Sequence, residues 1–221
     1  MSIVNYEQQG DVAIVTMDDG KANAMNPDMA EAINSALDKA EASAKAVVIT
    51  GRPGVFSGGF DLKIIRSGDP AAAQQMRLAG TRVLMRIYGF PKPIIMAALG
   101  HSLALGGFLL LTGDYRIGAS GDFTIGLNEV AIGMTLPPFA MMLATARIDN
   151  RHLSNAAINA NMYNPDQAIA AGFLDEVVAP DEVVARAVEK ASAMAELDGA
   201  AFAQTKLDFR GADIDRILSA L

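Results

Sequence analysis

Short apolar segments alternate with longer amphipathic segments along most of this 221-residue chain. Residues 12–17, 46–50 and 94–99 are rich in valine, isoleucine and alanine, as strands buried on both faces are. Strands that alternate with helices pair mostly in parallel, because each helix carries the chain back to the start of the next strand. The pattern therefore predicts an α/β fold, and no linker or repeat divides the chain.

The helices are predicted from their start and stop signals. Asn26 and Pro27 form a typical N-terminal cap, and Met29, Ile33 and Leu37 then recur on one helical face. A second helix is predicted to run to about residue 87.

Two further helices are predicted near the C-terminus. Asn164 and Pro165 repeat the capped start, and Gly172 is predicted to end that helix. Asp181 is predicted to cap a last amphipathic helix. The buried face of this last helix is predicted to carry Val184, Val188 and Ala191.

Composition excludes several kinds of function. The 18 basic and 25 acidic residues give a net charge of −7, which does not suit a nucleic acid partner. Without cysteine and with only two histidines, the chain has no thiolate nucleophile and no multi-histidine metal site, so its carboxylates are the main source of acid–base chemistry. No secretory signal is apparent, and glycines interrupt the uncharged residues 94–113, so we expect a cytoplasmic protein with no membrane span.

Two glycine-rich loops each follow a strand and precede a helix, at residues 56–62 and 104–108. Glycine lets a backbone approach a ligand closely, and the first N–H groups of a helix have no partner within it. Two such loops that converge would form an oxyanion hole, although a tight turn is the simpler explanation of each loop taken alone.

Glu129 stands among apolar residues and glycine, where partial burial would raise its pKa towards the range of a general base. The alternative is a structural glutamate that is satisfied by Asn128 or by backbone amides at a helix start.

Taken together and in order, seven segments resemble the enoyl-CoA hydratase/isomerase (crotonase) superfamily. They are residues 23–26 (NAMN), 55–62 (VFSGGFDL), 91–93 (PKP), 104–107 (ALGG), 114–117 (DYRI), 126–129 (GLNE) and 170–178 (AAGFLDEVV). The match extends from the first strand to about Val188.

The resemblance implies a spiral of β-β-α units over residues 1–185, followed by a short helical region at 186–221 that serves oligomerisation, as a homotrimer or hexamer. It also implies an acyl-CoA thioester substrate and neither a metal nor a separate cofactor. The thioester oxygen would accept hydrogen bonds from the backbone N–H groups of Phe60 and Gly107. Other substrate-binding positions would be Lys21, Ala24, Ser57, Gly58, Asp61, Leu62 and Leu110.

Within this superfamily, hydratases resemble one another in having two catalytic glutamates. The first of these positions, three residues after Gly107, is Leu110 in this chain, and the second is Glu129. With a single glutamate at these two positions, the chain resembles the Δ3,Δ2-enoyl-CoA isomerases of the mitochondrial type. The alternatives are another reaction of the superfamily (hydration, thioester hydrolysis or decarboxylation) and a non-catalytic acyl-CoA-binding protein.

The sequence also departs from the family pattern. Phe60 replaces a smaller residue and is expected to reshape the acyl pocket. His101 follows Gly100 where the family commonly has Asn-Gly, and we expect it to serve as a structural hydrogen-bonding residue. Lys21, Arg52 and Lys63 are candidates to contact the CoA phosphates, although an ordinary solvated side chain is the simpler interpretation of each one alone.

Overall fold

The computed structural model describes residues 2–221, which form two sheets and the helices around them. The strands are β1 (Val4–Gln9), β2 (Val12–Met17), β3 (Ala46–Thr50), β4 (Gly54–Ser57), β5 (Ile94–Ala98), β6 (Gly100–Leu103), β7 (Tyr115–Ala119), β8 (Ile125–Gly126), β9 (Met162–Tyr163) and β10 (Glu176–Val178). The α-helices are α1 (Pro27–Ser43), α2 (Leu62–Arg66), α3 (Pro70–Tyr88), α4 (Leu105–Leu111), α5 (Pro138–Arg147), α6 (Asn150–Ala157), α7 (Pro165–Ala171), α8 (Val183–Ala195) and α9 (Gly199–Ser219).

The larger sheet has the strand order β1-β2-β3-β5-β7-β10 and is parallel except for the β1–β2 hairpin. Its central strands are buried on both faces. In β3, Val47 and Ile49 pack into the core shared with α1, α3 and α4, whereas Ala46 and Val48 pack with α8. This two-sided burial explains why β2, β3 and β5 could be recognised from uninterrupted apolar runs.

The smaller sheet has the order β4-β6-β8-β9, in which the first three strands are parallel. Three successive units pass through both sheets: β3 and β4 precede α2 and α3, β5 and β6 precede α4, and β7 and β8 precede α5. In each unit the first strand joins the larger sheet and the second joins the smaller one. This arrangement is the expected spiral of β-β-α units.

The smaller sheet was not predicted. Its strands have two to four residues, and glycines and polar residues interrupt them, so none has a readable apolar pattern. Residues 94–113, the longest uncharged stretch, form β5, β6 and α4. No helix within residues 2–221 combines the length and the apolarity that a bilayer crossing needs.

The capping predicted for α8 was wrong, and its buried face was predicted only in part. Asp181 does not cap this helix, because the N-cap residue is Glu182 and makes no side-chain cap hydrogen bond. The turn before the helix is closed by the backbone bond from Glu182 N–H to the Ala179 carbonyl. The fully buried positions are Val183, Ala187 and Ala191, whereas Val184 and Val188 lie beside this face and are partly buried.

The C-terminal region consists of α8 and the 21-residue helix α9. The predicted boundary after residue 185 falls inside α8. Asp114, at the start of the strand segment that leads into β7, joins α9 to the core. Its buried carboxylate accepts hydrogen bonds from Lys206 Nζ at 2.7 Å and from Arg210 Nη1 at 2.9 Å, both on α9.

Candidate active site

Three loops meet at one edge of the smaller sheet. Because β4, β6 and β8 are parallel, the segments that follow them leave from the same edge. These segments are residues 58–61, residue 104 with the start of α4, and residues 127–129. They contain the two glycine loops and the glutamate that the sequence indicated, and strand direction is the reason that they converge.

The first two loops are in direct contact. Gly59 has a φ of +96°, and a Cβ atom at this position would lie 3.0 Å from Ala104 Cβ and 3.3 Å from Leu105 N. At Gly106, a Cβ atom would lie 2.1 Å from the Ser57 carbonyl oxygen. Glycine is required at both positions because the two backbones approach too closely for side chains.

The Phe60 N–H group is available to a ligand. Residues 25 and 60 form a parallel bridge in which Met25 N–H donates to Gly59 O at 2.7 Å and Asp61 N–H donates to Met25 O at 3.1 Å. These two bonds use the Gly59 carbonyl and the Asp61 N–H, so the Phe60 N–H points away from Met25. Within residues 2–221 the Phe60 N–H has no acceptor.

The Gly107 N–H group, in contrast, already has a hydrogen-bond acceptor. It lies in the first turn of α4 and donates to the Ala104 carbonyl at 2.8 Å. Ala104 itself has a φ of +51°, which is strained for a residue with a side chain. As an oxyanion donor, Gly107 would therefore share its proton between two acceptors, as N–H groups at helix ends commonly do.

Glu129 is buried and incompletely hydrogen-bonded. It precedes a short 3-10 turn (Val130–Ile132), and 7% of its surface is exposed. Neither its Oε2 atom nor Asn128 Oδ1 has a hydrogen-bond partner within residues 2–221. Burial raises the pKa of Glu129 to about 7, against a smaller lowering by its own backbone N–H. Asn128 therefore does not satisfy this carboxylate, and the desolvated alternative is the one that the structure supports.

A cavity of about 870 Å³ lies against these loops, within the size range of small-molecule sites. Gly58, Phe60, Leu62 and Glu129 line it, as do Ala104 and Asn128. Its remaining lining is mostly apolar and includes Ile65, Leu78, Leu103, Leu105, Phe108, Ile132, Met134, Phe139, Ile217 and Leu221. The polar members are Gln74, Arg77, Thr81 and Thr135. Sequence reasoning missed Ile217 and Leu221, because nothing local indicates that the end of α9 returns to the site.

Four other predicted site residues lie near the loops but not in the cavity lining. The Ser57 hydroxyl is buried and donates to Asn23 O at 2.9 Å. Asp61 caps α2 by accepting from Lys63 N–H at 2.9 Å. Lys21 and Ala24 belong to the turn before α1, and the exposed Lys21 accepts a bond from Arg52 through its carbonyl. Their contacts with a substrate stay predictions.

Leu110 and Gly107 are both buried in α4, and neither of them lines the cavity. Leu110 has no exposed surface and supplies no polar group near Glu129. His101 has the expected structural role, since its Nδ1 accepts the Thr124 N–H at 3.0 Å and its ring meets Phe123 edge to face.

Comparison with known proteins places the chain in a family. Residues 7–216 match the enoyl-CoA hydratase/isomerase model. Mitochondrial enoyl-CoA delta isomerase 1 of Rattus norvegicus is 30% identical over 84% of this chain, which spans 65% of that protein. The structure of an enoyl-CoA isomerase from Mycobacterium tuberculosis has a TM-score of 0.93 at 40% identity, covering 99% of this chain and 95% of its own.

Relatives with the other activity name are equally similar. The structure of an enoyl-CoA hydratase from Mycobacterium ulcerans has a TM-score of 0.94 at 39% identity, covering 98% of this chain and 95% of its own. The names of relatives therefore agree on the family and differ on the reaction. With its β-β-α spiral, its convergent loops and this match over nearly its whole length, the chain belongs to the enoyl-CoA hydratase/isomerase family.

Proposed function

We propose that this protein is a Δ3-Δ2 enoyl-CoA isomerase in which Glu129 is the only acid–base group. The observation that carries the proposal is a single desolvated carboxylate in an apolar cavity, with a leucine at position 110 instead of a second acid. Isomerisation moves one proton between two carbons of the same substrate, so one base suffices. Hydration must also orient and activate a water molecule, a task that two carboxylates share.

In the first step, the ionised Glu129 removes a proton from C2 of a 3-enoyl-CoA. The electron pair of that C–H bond delocalises onto the thioester oxygen and gives a dienolate. The Phe60 N–H, which is free, and the Gly107 N–H, which is shared with Ala104 O, donate to this oxygen. Loss of one such donor typically costs about 3 kcal/mol of transition-state stabilisation.

In the second step, the protonated Glu129 returns the proton to C4. The double bond moves from C3–C4 to C2–C3, into conjugation with the thioester, and Glu129 is ionised again. A pKa near 7 suits this cycle because the group must both take and give a proton near neutral pH. The apolar lining limits the access of water to the dienolate.

The reaction needs no cofactor beyond the CoA group of the substrate, and we propose that a homotrimer or hexamer carries it out. The C-terminal helices expose apolar surface that fits subunit contact, and Phe209 on α9 is 85% exposed. Light scattering after size exclusion should give the mass of a trimer or hexamer, and a monomer would contradict this part of the proposal.

The deciding experiment supplies 3-enoyl-CoA and 2-enoyl-CoA separately and identifies the products. We expect 3-enoyl-CoA to gain the absorbance of the conjugated thioester, and 2-enoyl-CoA to give little 3-hydroxyacyl-CoA. Efficient hydration of 2-enoyl-CoA would instead favour the hydratase reaction for which several relatives are named. Tight acyl-CoA binding without turnover of any thioester would indicate a binding protein.

A further inference from the structure

The side chain of Phe60 lies in a depression on α3 that exists because residue 80 is glycine. A Cβ atom at Gly80 would be 2.6 Å from Phe60 Cε1 and 3.1 Å from Cζ. Gly80 is in the interior of α3, and its φ is not in the left-handed region. Alanine is the better helix former at such a position, so the helix itself does not require glycine. The Phe60 ring is what occupies the missing space.

The ring is confined on the side of the core and open on the side of the cavity. Met25 is 1% exposed, and its Cγ atom would lie 3.3 Å from the same Cβ position. Phe60 also lines the 870 Å³ cavity. To restore ordinary contact with a methyl group at residue 80, at 3.4–4 Å, the ring would have to move by about 1 Å. The open direction for that movement is into the cavity.

The position of the ring matters because the same residue offers the free backbone N–H. A thioester oxygen bound to this N–H would direct the acyl chain into the cavity that the Phe60 ring lines. The rest of an extended acyl chain would continue along the apolar lining. With the ring against α3 this path is open, and with the ring displaced it is narrowed.

We propose that Gly80 determines acyl-chain specificity by holding the Phe60 ring out of the cavity, so that the site accepts long straight-chain acyl-CoA thioesters. This inference rests on the proposed function for the identity of the ligand. Gly80 acts through Phe60 and is a positioning residue. A methyl group at residue 80 selects against long chains and spares short ones.

The test compares the binding of butanoyl-CoA and dodecanoyl-CoA by calorimetry, a readout that needs no turnover. Gly80→Ala should weaken dodecanoyl-CoA binding about tenfold and change butanoyl-CoA binding less than about twofold. Gly199→Ala is the matched control, because this glycine is also helical and a Cβ atom there meets nothing within 4 Å. It should bind both ligands as the unmodified protein does.

The double variant Phe60→Ala/Gly80→Ala removes the ring that the methyl group displaces, and it should bind dodecanoyl-CoA as Phe60→Ala alone does. If Gly80→Ala alone fails to fold, the double variant can still be measured, because it lacks the ring that the new methyl group would contact. Unchanged binding in Gly80→Ala, equal loss for both chain lengths, or no recovery in the double variant would overturn the inference. If the expected chain-length effects appear but the protein isomerises no substrate, only the proposed reaction is overturned. If the unmodified protein binds neither ligand, both the proposed reaction and the role of Gly80 are overturned.

Discussion

Replacement of Glu129 by glutamine should make the protein more stable, and the gain should grow with pH. Burial raises the pKa of Glu129 from the ordinary 4.5 to about 7. The folded state therefore holds this proton more tightly than the unfolded state does, and stability falls as pH rises from about 4.5 to 7. One pKa unit corresponds to about 1.4 kcal/mol, so the full loss above pH 7 is about 3 kcal/mol. Glutamine does not ionise and does not have this loss.

The assay is urea unfolding of the unmodified protein and of Glu129→Gln at pH 5 and pH 8. Part of the loss is already present at pH 5, so the advantage of the variant should increase by about 2 to 3 kcal/mol between the two pH values. Any effect of the amide that does not depend on pH cancels in this comparison. Glu31→Gln, at an exposed position on α1, is the matched control and should show no such increase. An advantage that stays constant from pH 5 to pH 8 would refute the claim that the Glu129 carboxylate is desolvated.

Three further predictions concern catalysis and the supports of the site. The kcat/KM for 3-enoyl-CoA should rise about tenfold per pH unit below pH 7 and level off above it, because Glu129 must be ionised to act as a base; a flat profile from pH 5 to pH 9 would contradict this. Asp114→Ala should lower the free energy of unfolding in urea by about 3 to 5 kcal/mol, because it leaves Lys206 buried without its carboxylate partner. Asp11→Ala, which removes an exposed ion pair, should change the free energy of unfolding little. Asn23→Ala should lower the free energy of unfolding by about 2 kcal/mol, because the buried Asn23 side chain hydrogen-bonds the backbone of Met17, Asp19 and Phe56 and its φ is +48°; an unchanged midpoint would contradict that role.

The strands β2, β3 and β5 of the larger sheet could be predicted because they have a strong local signal. In β2, β3 and β5 every residue or nearly every residue is buried, so composition alone identifies them. The strands of the smaller sheet are too short for such a signal, although they place all three loops of the site. The sequence therefore indicated which loops matter, and only the parallel order β4-β6-β8 explains why they meet.

The candidate site, like the fold, could be predicted from the sequence only in part. Glu129 could be singled out from its apolar neighbours, but the choice between a base and a satisfied structural glutamate depended on an unpartnered Oε2 atom. Family resemblance assigned the Phe60 and Gly107 amides equal roles, and the structure distinguishes a free donor from one already bonded to Ala104 O. The space for the Phe60 ring depends on Gly80, twenty residues further along the chain, and such a contact has no local sequence signal.

The most direct test of the central claim is the rate at which Glu129→Gln converts 3-enoyl-CoA to 2-enoyl-CoA. Its kcat/KM should be lower by about 10²- to 10⁴-fold, the usual contribution of a general acid–base group, while its affinity for a saturated acyl-CoA stays close to that of the unmodified protein. Turnover at the unmodified rate would contradict the assignment of Glu129 as the only acid–base group.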